Sequence, residues 1–224
     1  MTTALEDPRW LALNKERRDK LLEKYRNVNV EHDWWDSLFE YFAEQLTEIG
    51  ITVNTHEVKL MNGKTRQDPN IYFSGFWSQG DGAYFEGYVS DWSKFLATLG
   101  KEDWAFWAHE CNWTASSAHS YGNNMSVNSE LEAPENPHDE EEDSLRFHAW
   151  NIVNLPPSEA DLAALESEIK GKFNDLASEL YNDLETEYDY QTDDEQVVDW
   201  ILSNLDDEEL NGEEAEEAEE FFAD

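Results

Sequence analysis

A chain of 224 residues, 39% hydrophobic and 13% aromatic with ten Trp, holds enough apolar side chain for a sizeable core and is not the composition of a wholly disordered protein. Its 52 acids against 15 bases give a formal net charge of -37. Such a field repels nucleic acid, anionic membranes and acidic substrates and attracts basic surfaces. The single Cys111 excludes an intrachain disulfide framework and fits a reducing cytoplasm, and no signal-peptide pattern or membrane-length apolar run is expected.

The charge is uneven. Residues 1–130 hold 20 acids and 12 bases, whereas residues 131–224 hold the other 32 acids and 3 bases. Asp7-Pro8 opens a helix expected to run to Asn27. It is the one basic segment, with Arg9, Lys15, Arg17, Arg18, Lys20, Lys24 and Arg26. The expectation is that it lies against an acidic body or pairs with its own Glu16, Asp19 and Glu23. A second helix is expected over 33–49, stopped by Gly50, with Trp35, Leu38, Phe39, Phe42, Leu46 and Ile49 on its apolar face. Asp36, Glu40, Glu44 and Glu48 recur every fourth residue on the other side, about 6 Å apart along the axis. One DNA strand presents a charge about every 3.4 Å, so this stripe alone is too sparse to imitate a duplex.

"ITVNTHEVKL" (51–60) alternates as a strand, and "MNGKTRQDPN" reads as a loop. "IYFSGF" (71–76) and "AYFEGYV" (83–89) flank "SQGDG" and predict a β-hairpin in a central antiparallel sheet. A short helix over 90–100, an ambiguous "KEDWAFWAHECNW", a second hairpin turning at Gly122-Asn123-Asn124, a charged loop over 132–143 and a strand over 144–154 follow. Ser158 with Asp161 resembles a capping box. Leu162, Leu165, Ile169, Phe173, Leu176, Leu180 and Leu184 then step along one helical face. Thr192 with Glu195 opens a further helix carrying Val197, Val198, Ile201, Leu202 and Leu205. From Asp206 onward there is no base, and residues 206–224 are expected to be an acidic tail, disordered or only transiently helical, that folding does not need. The fold class read from this order is α+β, a central antiparallel sheet with N-terminal and C-terminal helices, in one domain over 1–205.

No nucleotide, hydrolase or zinc motif is present, and His109-x-Cys111 lacks a second ligand pair, so no catalytic residue, cofactor or metal is assigned. Ser74, Ser78, Gln79, Asp81 and Glu86 with His119 and Tyr121 are able to line a pocket, and Glu86 with His119 is the conceivable acid–base pair. The more economical reading of "SQGDG" is a tight connection.

"IYFSGFWSQGDGAYFEG" (71–87), "AHSYGNNMSVN" (118–128) and "LYNDLETEYDYQTDDEQVVDWILSN" (180–204) resemble, in order, three motifs of a family of small phage and prophage proteins, the likeness spanning Trp34 to Asn204. Members are mostly uncharacterised, and some carry labels such as antitoxin or antirestriction protein. The resemblance supplies no catalytic residues, and this chain differs by its acidic loop and tail.

Charge and resemblance together lead to one expectation, a non-enzymatic phage or mobile-element inhibitor of a host defence or DNA-processing protein, acting in the host cytoplasm by imitating DNA charge. The partner is a basic protein, with no direct nucleic-acid or membrane binding. The candidate contacts are Asp36, Glu40, Glu44 and Glu48, then Glu159, Asp161, Glu166, Glu168, Asp175, Glu179, Asp183, Glu185 and Glu187. The alternative is an antitoxin-like or regulatory binder that covers a basic partner without mimicry, using a local apolar contact such as the terminal "EEFFAD".

Overall fold

The computed structural model describes residues 3–61, 63–120, 124–134 and 156–212. The strand expected over 144–154, most of the 132–143 loop, the turn at 122–123 and the terminal 213–224 lie outside the described residues. The elements are helices α1 (Pro8–Ala12), α2 (Lys15–Tyr25) and α3 (Asp36–Glu48), six strands, β1 (Ile51–Val53), β2 (Thr55–Lys59), β3 (Thr65–Pro69), β4 (Ile71–Ser74), β5 (Gly82–Phe85) and β6 (Gly87–Val89), then α4 (Trp92–Thr98) and α5 (Ala105–Glu110). Strands β7 (Thr114–His119) and β8 (Met125–Glu130) precede α6 (Glu159–Gln191), α7 (Asp194–Asn204) and α8 (Asp207–Asn211). The class is α+β as expected, with a four-stranded antiparallel sheet in the order β1-β6-β7-β8. Where the sequence suggested one domain, the chain divides into two compact units, residues 1–36 with 184–224 and residues 37–183.

The unit of residues 1–36 and 184–224 is helical. The single basic helix expected to Asn27 is two helices, because Leu13 leaves helical geometry at ψ 141° and the Asn14 side chain accepts from the Arg17 N–H to cap a new start. Trp10, Leu13 and Leu21 close a core with Val197, Val198, Ile201, Leu202 and Leu210. Three arginines of the basic segment each reach the C-terminal carbonyls of a different helix. Arg26 donates to the Thr192 carbonyl at 2.9 Å just past α6, Arg9 to that of Leu202 at 3.2 Å in α7, and Arg17 to that of Leu210 at 2.8 Å in α8. Helix C-termini leave carbonyls unsatisfied and carry partial negative charge, so cations are favoured there. The basic segment therefore does lie against acidic chain, but its arginines serve mainly as C-terminal caps. Among the described residues, Lys20–Glu16, at 3.0 Å, is the i,i+4 pair within this segment.

The tail boundary expected after Leu205 falls too early. Asp206 and Glu209 form a reciprocal capping box, α8 ends at Gly212 with φ 81°, and Leu210 is 2% exposed. Local capping and one buried leucine outweigh the like charge around them.

In residues 37–183, three long strands bend at Asn54, Asn70 and Glu86 and change partner there. The pairs β1–β6, β2–β3 and β4–β5 are all antiparallel. At the bend the backbones bond in a ring: Asn54 N–H to the Glu86 carbonyl (2.8 Å), Glu86 N–H to that of Asn70 (2.9 Å) and Asn70 N–H to that of Asn54 (2.7 Å). The ring satisfies the N–H and carbonyl of all three junction residues, so the bend leaves none of their backbone groups unpaired. The hairpin expected over 71–89 forms, but its β4–β5 arm is a two-stranded sheet of its own, and β6 alone continues into the four-stranded sheet. The loop expected over 61–70 contains β3, paired with β2. A Cβ on Gly87 would stand 2.7 Å from the Thr52 carbonyl oxygen, so the close approach of β1 and β6 requires glycine there. Ser117 is buried because its hydroxyl donates to the Phe85 carbonyl (2.9 Å) and accepts from the Gly87 N–H (3.1 Å).

All seven residues expected on the apolar face of α6 are buried. Phe173 from that face stacks on Phe85 at 5.7 Å, which in turn meets Phe42 of α3 at 5.6 Å. This aromatic contact fixes α3 and α6 on one core and leaves their opposite faces to solvent.

Candidate functional site

Both acid-bearing helices are amphipathic, so burial of the apolar face turns the acids outward. On α3, Glu40, Glu44 and Glu48 are exposed and Asp36 is half-buried. On α6, Glu159, Asp161, Glu166, Glu168, Asp175, Glu179 and Asp183 are exposed, and Glu185 and Glu187 are half-buried. Structural work falls to Glu168, Glu187 and Asp161 among these acids. Glu168 pairs with Lys101 at 3.3 Å, and Glu187 accepts from the Gln191 amide at 2.7 Å. The third, Asp161, accepts from the Ser158 backbone N–H (2.9 Å) and hydroxyl (2.7 Å). These bonds make the capping box and hold the Asp161 carboxyl below its usual range, the Ser158 hydroxyl bond being the larger cause.

A lowered folded-state pKa contributes stability above the ordinary carboxylate value and loses it as pH falls through the lowered one. Ser158→Ala should therefore raise the Asp161 pKa toward 3.8, read by carboxyl-carbon NMR titration. An unmoved Asp161 would mean that the box is not formed in solution.

Among the described residues, no ion pair or hydrogen bond engages Glu40, Glu44, Glu48, Glu179 or Asp183. The fold brings three of these together. Glu48 of α3 and Glu179 and Asp183 of α6 line a cleft of about 310 Å³, floored by Phe42, Leu46, Ile49 and Leu176. Lys172 also lines it and, among the described residues, forms no ion pair with these acids. The remaining predicted acids lie on other turns and do not join this cleft. An apolar floor under unpaired carboxylates suits a long basic side chain, whose stem packs below while its charged head meets the acids.

The "SQGDG" segment is the hairpin connection. The Asp81 N–H donates to the Ser78 carbonyl at 3.1 Å, and the Asp81 carboxylate accepts from the Ser78 N–H at 2.7 Å. Gly75, Trp77 and Gly80 take positive φ values of 45°, 66° and 95°. Asp81 is thus a turn-former. Glu86, the other acid weighed for catalysis, lies at the strand junction: its carboxylate accepts from the Asn70 amide (2.8 Å) and from the His119 backbone N–H (3.3 Å).

Asn70 in turn presents its Oδ1 to His56 Nδ1 at 2.8 Å. The Asn70 amide thus links Glu86 and His56 through its two ends. Tyr84 stacks on Tyr72 (4.9 Å) and meets the His119 ring at a tilt (5.1 Å). Burial raises both tyrosine pKa values, with Glu86 adding to the effect on Tyr72, and Tyr72 and then Glu86 adding to that on Tyr84. His56 and Asn70 were not legible as members of this cluster, since only the bend in the three strands assembles it. His109 is exposed, with its ring 3.8 Å from Glu110.

A family model described as "Domain of unknown function (DUF8835)" matches residues 34–194. That span includes the 71–87 and 118–128 motifs, α3 and all of α6. Comparison with curated proteins and with solved structures gave no match. No helix among the described residues is long and apolar enough to cross a membrane.

Proposed function

The chain belongs to the DUF8835 family, and we propose that it acts without catalysis, as a phage or mobile-element inhibitor that occupies a basic DNA-handling protein of the host cell in place of DNA. The observation that carries this reading is the set of unpaired, exposed carboxylates on two rigid helices, converging at Glu48, Glu179 and Asp183. Among the described residues no base pairs with these acids, and the chain as a whole carries a net charge of -37, so a basic surface is their natural counterpart. The partner's own DNA-binding arginines and lysines supply such a surface.

Rigid acids lose less entropy on docking than a chain that must be ordered. Reversing Glu40, Glu44 and Glu48 to Lys should therefore weaken capture of the partner by roughly tenfold or more, from three exposed pairs each turned from attraction to repulsion. Deleting residues 213–224 should cost less. Surface plasmon resonance against the captured protein reads both, and a larger loss from the deletion would reject the helix surface as the contact.

The apolar floor of the cleft favours a second reading, an antitoxin-like binder that covers a basic partner locally. It differs in one outcome: partner, DNA and this protein would then form a ternary complex.

A further inference from the structure

Strands β2 and β3 form a two-stranded sheet of their own, and among the described residues neither outer edge pairs with another strand. The ladder is flanked by the bonds from the Leu60 N–H to the Lys64 carbonyl (2.8 Å) and from the Asn70 N–H to that of Asn54 (2.7 Å). Hydrogen-bonded pairs alternate in an antiparallel ladder. His56 and Val58 therefore bond inward to β3, while Thr55, Glu57 and Lys59 present their backbone N–H and carbonyl groups outward. On β3 the outward residues are Thr65, Gln67 and Pro69, and Pro69 has no N–H to offer. The β2 edge keeps all three donors, and its Thr55, Glu57 and Lys59 are exposed. Among the described residues, the Glu57 and Lys59 side chains form no hydrogen bond or ion pair.

We propose that the β2 edge pairs with the β2 edge of a second copy of this chain, antiparallel about a two-fold axis at Val58. A two-fold contact has to be self-complementary, and this strand meets that condition in one register. Glu57 then faces the partner's Lys59, and Lys59 faces the partner's Glu57, giving two cross-strand pairs of opposite charge. Both are outward residues, so each pairing also closes two backbone hydrogen bonds. Val58, half-buried in one copy, meets the partner's Val58 between them, at the position where side chains of paired strands are closest. Leu60, 38% exposed, comes opposite the partner's His56 on the same face. Sliding the strands by two residues sets Glu57 against Glu57 or Lys59 against Lys59. Sliding by one opposes an outward residue to an inward one and forms no ladder. Charge on an edge strand ordinarily wards off other strands, but the order Glu57-Val58-Lys59 admits this register and repels its neighbours.

Sedimentation velocity of the whole chain tests this at about 0.15 M salt. Screening over about 8 Å damps the repulsion between two bodies of charge -37 there and spares contacts within the ladder. A contact of one five-residue strand is small, so a dimer with a Kd of roughly 0.1–1 mM is expected. Glu57→Lys and Lys59→Glu should each weaken it by about fivefold or more, and the double exchange should restore it. Net charge alone predicts otherwise, because Glu57→Lys lowers the repulsion between copies and would strengthen association. Within one copy Glu57 faces Gln67 and Lys59 faces Thr65, both neutral, so the exchanges leave the β2–β3 ladder intact. Thermal midpoints of the variants establish that they fold. Amide hydrogen exchange should slow at Glu57 and Lys59 as concentration rises, and not at Thr65 and Gln67. A chain that stays monomeric at about 1 mM, a dimer indifferent to the single exchanges, or a double exchange that fails to restore it would each overturn the proposal.

Discussion

Ending the chain at Leu205 should lower the thermal midpoint of the 224-residue protein by roughly 4–20 °C. Leu210 is 2% exposed in one cluster with Trp10, Leu13 and Leu21. Loss of a buried Leu side chain costs about 2–5 kcal/mol, and each kcal/mol is worth about 2–4 °C in a domain of this size. Arg17 also loses its acceptors, the carbonyls of Leu210 and Glu209. Removal of the 11 acids of residues 206–224 acts in the opposite sense by relieving self-repulsion. At moderate salt this gain is screened, whereas the packing loss is not. Leu210→Ala isolates the packing contribution at nearly constant charge. Differential scanning calorimetry of both variants decides the matter: an unchanged or raised midpoint in Leu210→Ala would mean that α8 is not docked in solution.

Gly50→Ala should be the most damaging single methyl in residues 37–183. Gly50 ends α3 at φ +86°, and a Cβ there would stand 2.2 Å from the Asp91 carbonyl oxygen. That oxygen has nowhere to retreat, because it accepts from the Phe95 N–H at 3.1 Å while the Asp91 side chain caps α4. The Gly50 carbonyl meanwhile accepts from the Ser90 and Asp91 N–H groups at 2.9 and 3.0 Å. The turn therefore joins α3, β1 and the start of α4 through one residue. Left-handed strain alone is of order 1–3 kcal/mol, and the clash adds to it. Gly63→Ala is the control, since Gly63 has φ +79° with nothing within 4 Å of its would-be Cβ. Urea denaturation should show a clearly larger loss for Gly50→Ala, and equal losses would mean that the Asp91 approach is looser than described.

The helices were legible because burial follows a local period. Leu162 through Leu184 repeat at three- and four-residue steps, and every one is buried. Strand β3 was not legible. "TRQDP" is exposed or half-buried along its length, so no alternation marks it, and it is a strand because β2 pairs with it. The Asn14 cap splits what apolar spacing alone reads as one helix up to Asn27, and Asp193, one residue after the expected Thr192, starts α7. The candidate site divides in the same way. Helical phase placed Glu40, Glu44, Glu179 and Asp183 on exposed faces, but the meeting of Glu48 with Glu179 and Asp183 depends on the packing of Phe42, Phe85 and Phe173, which is non-local. The strand junction at Asn54, Asn70 and Glu86 is likewise a three-body feature that no window of sequence contains.

The central claim, that the acidic helices hold a basic protein at its DNA site, is tested most directly by displacement. Host lysate is passed over the immobilised protein, the captured proteins are identified by mass spectrometry, and the column is then washed with excess duplex DNA at low salt. The account predicts that a DNA-handling protein is captured and released by the duplex. A column bearing Glu48→Lys, Glu179→Lys and Asp183→Lys together should retain little of it, and capture should fade as salt shortens the Debye length from about 10 Å at 0.1 M to about 3 Å at 1 M. A captured protein that stays bound while it takes up the duplex would contradict mimicry, and capture unaffected by the three substitutions would contradict the site.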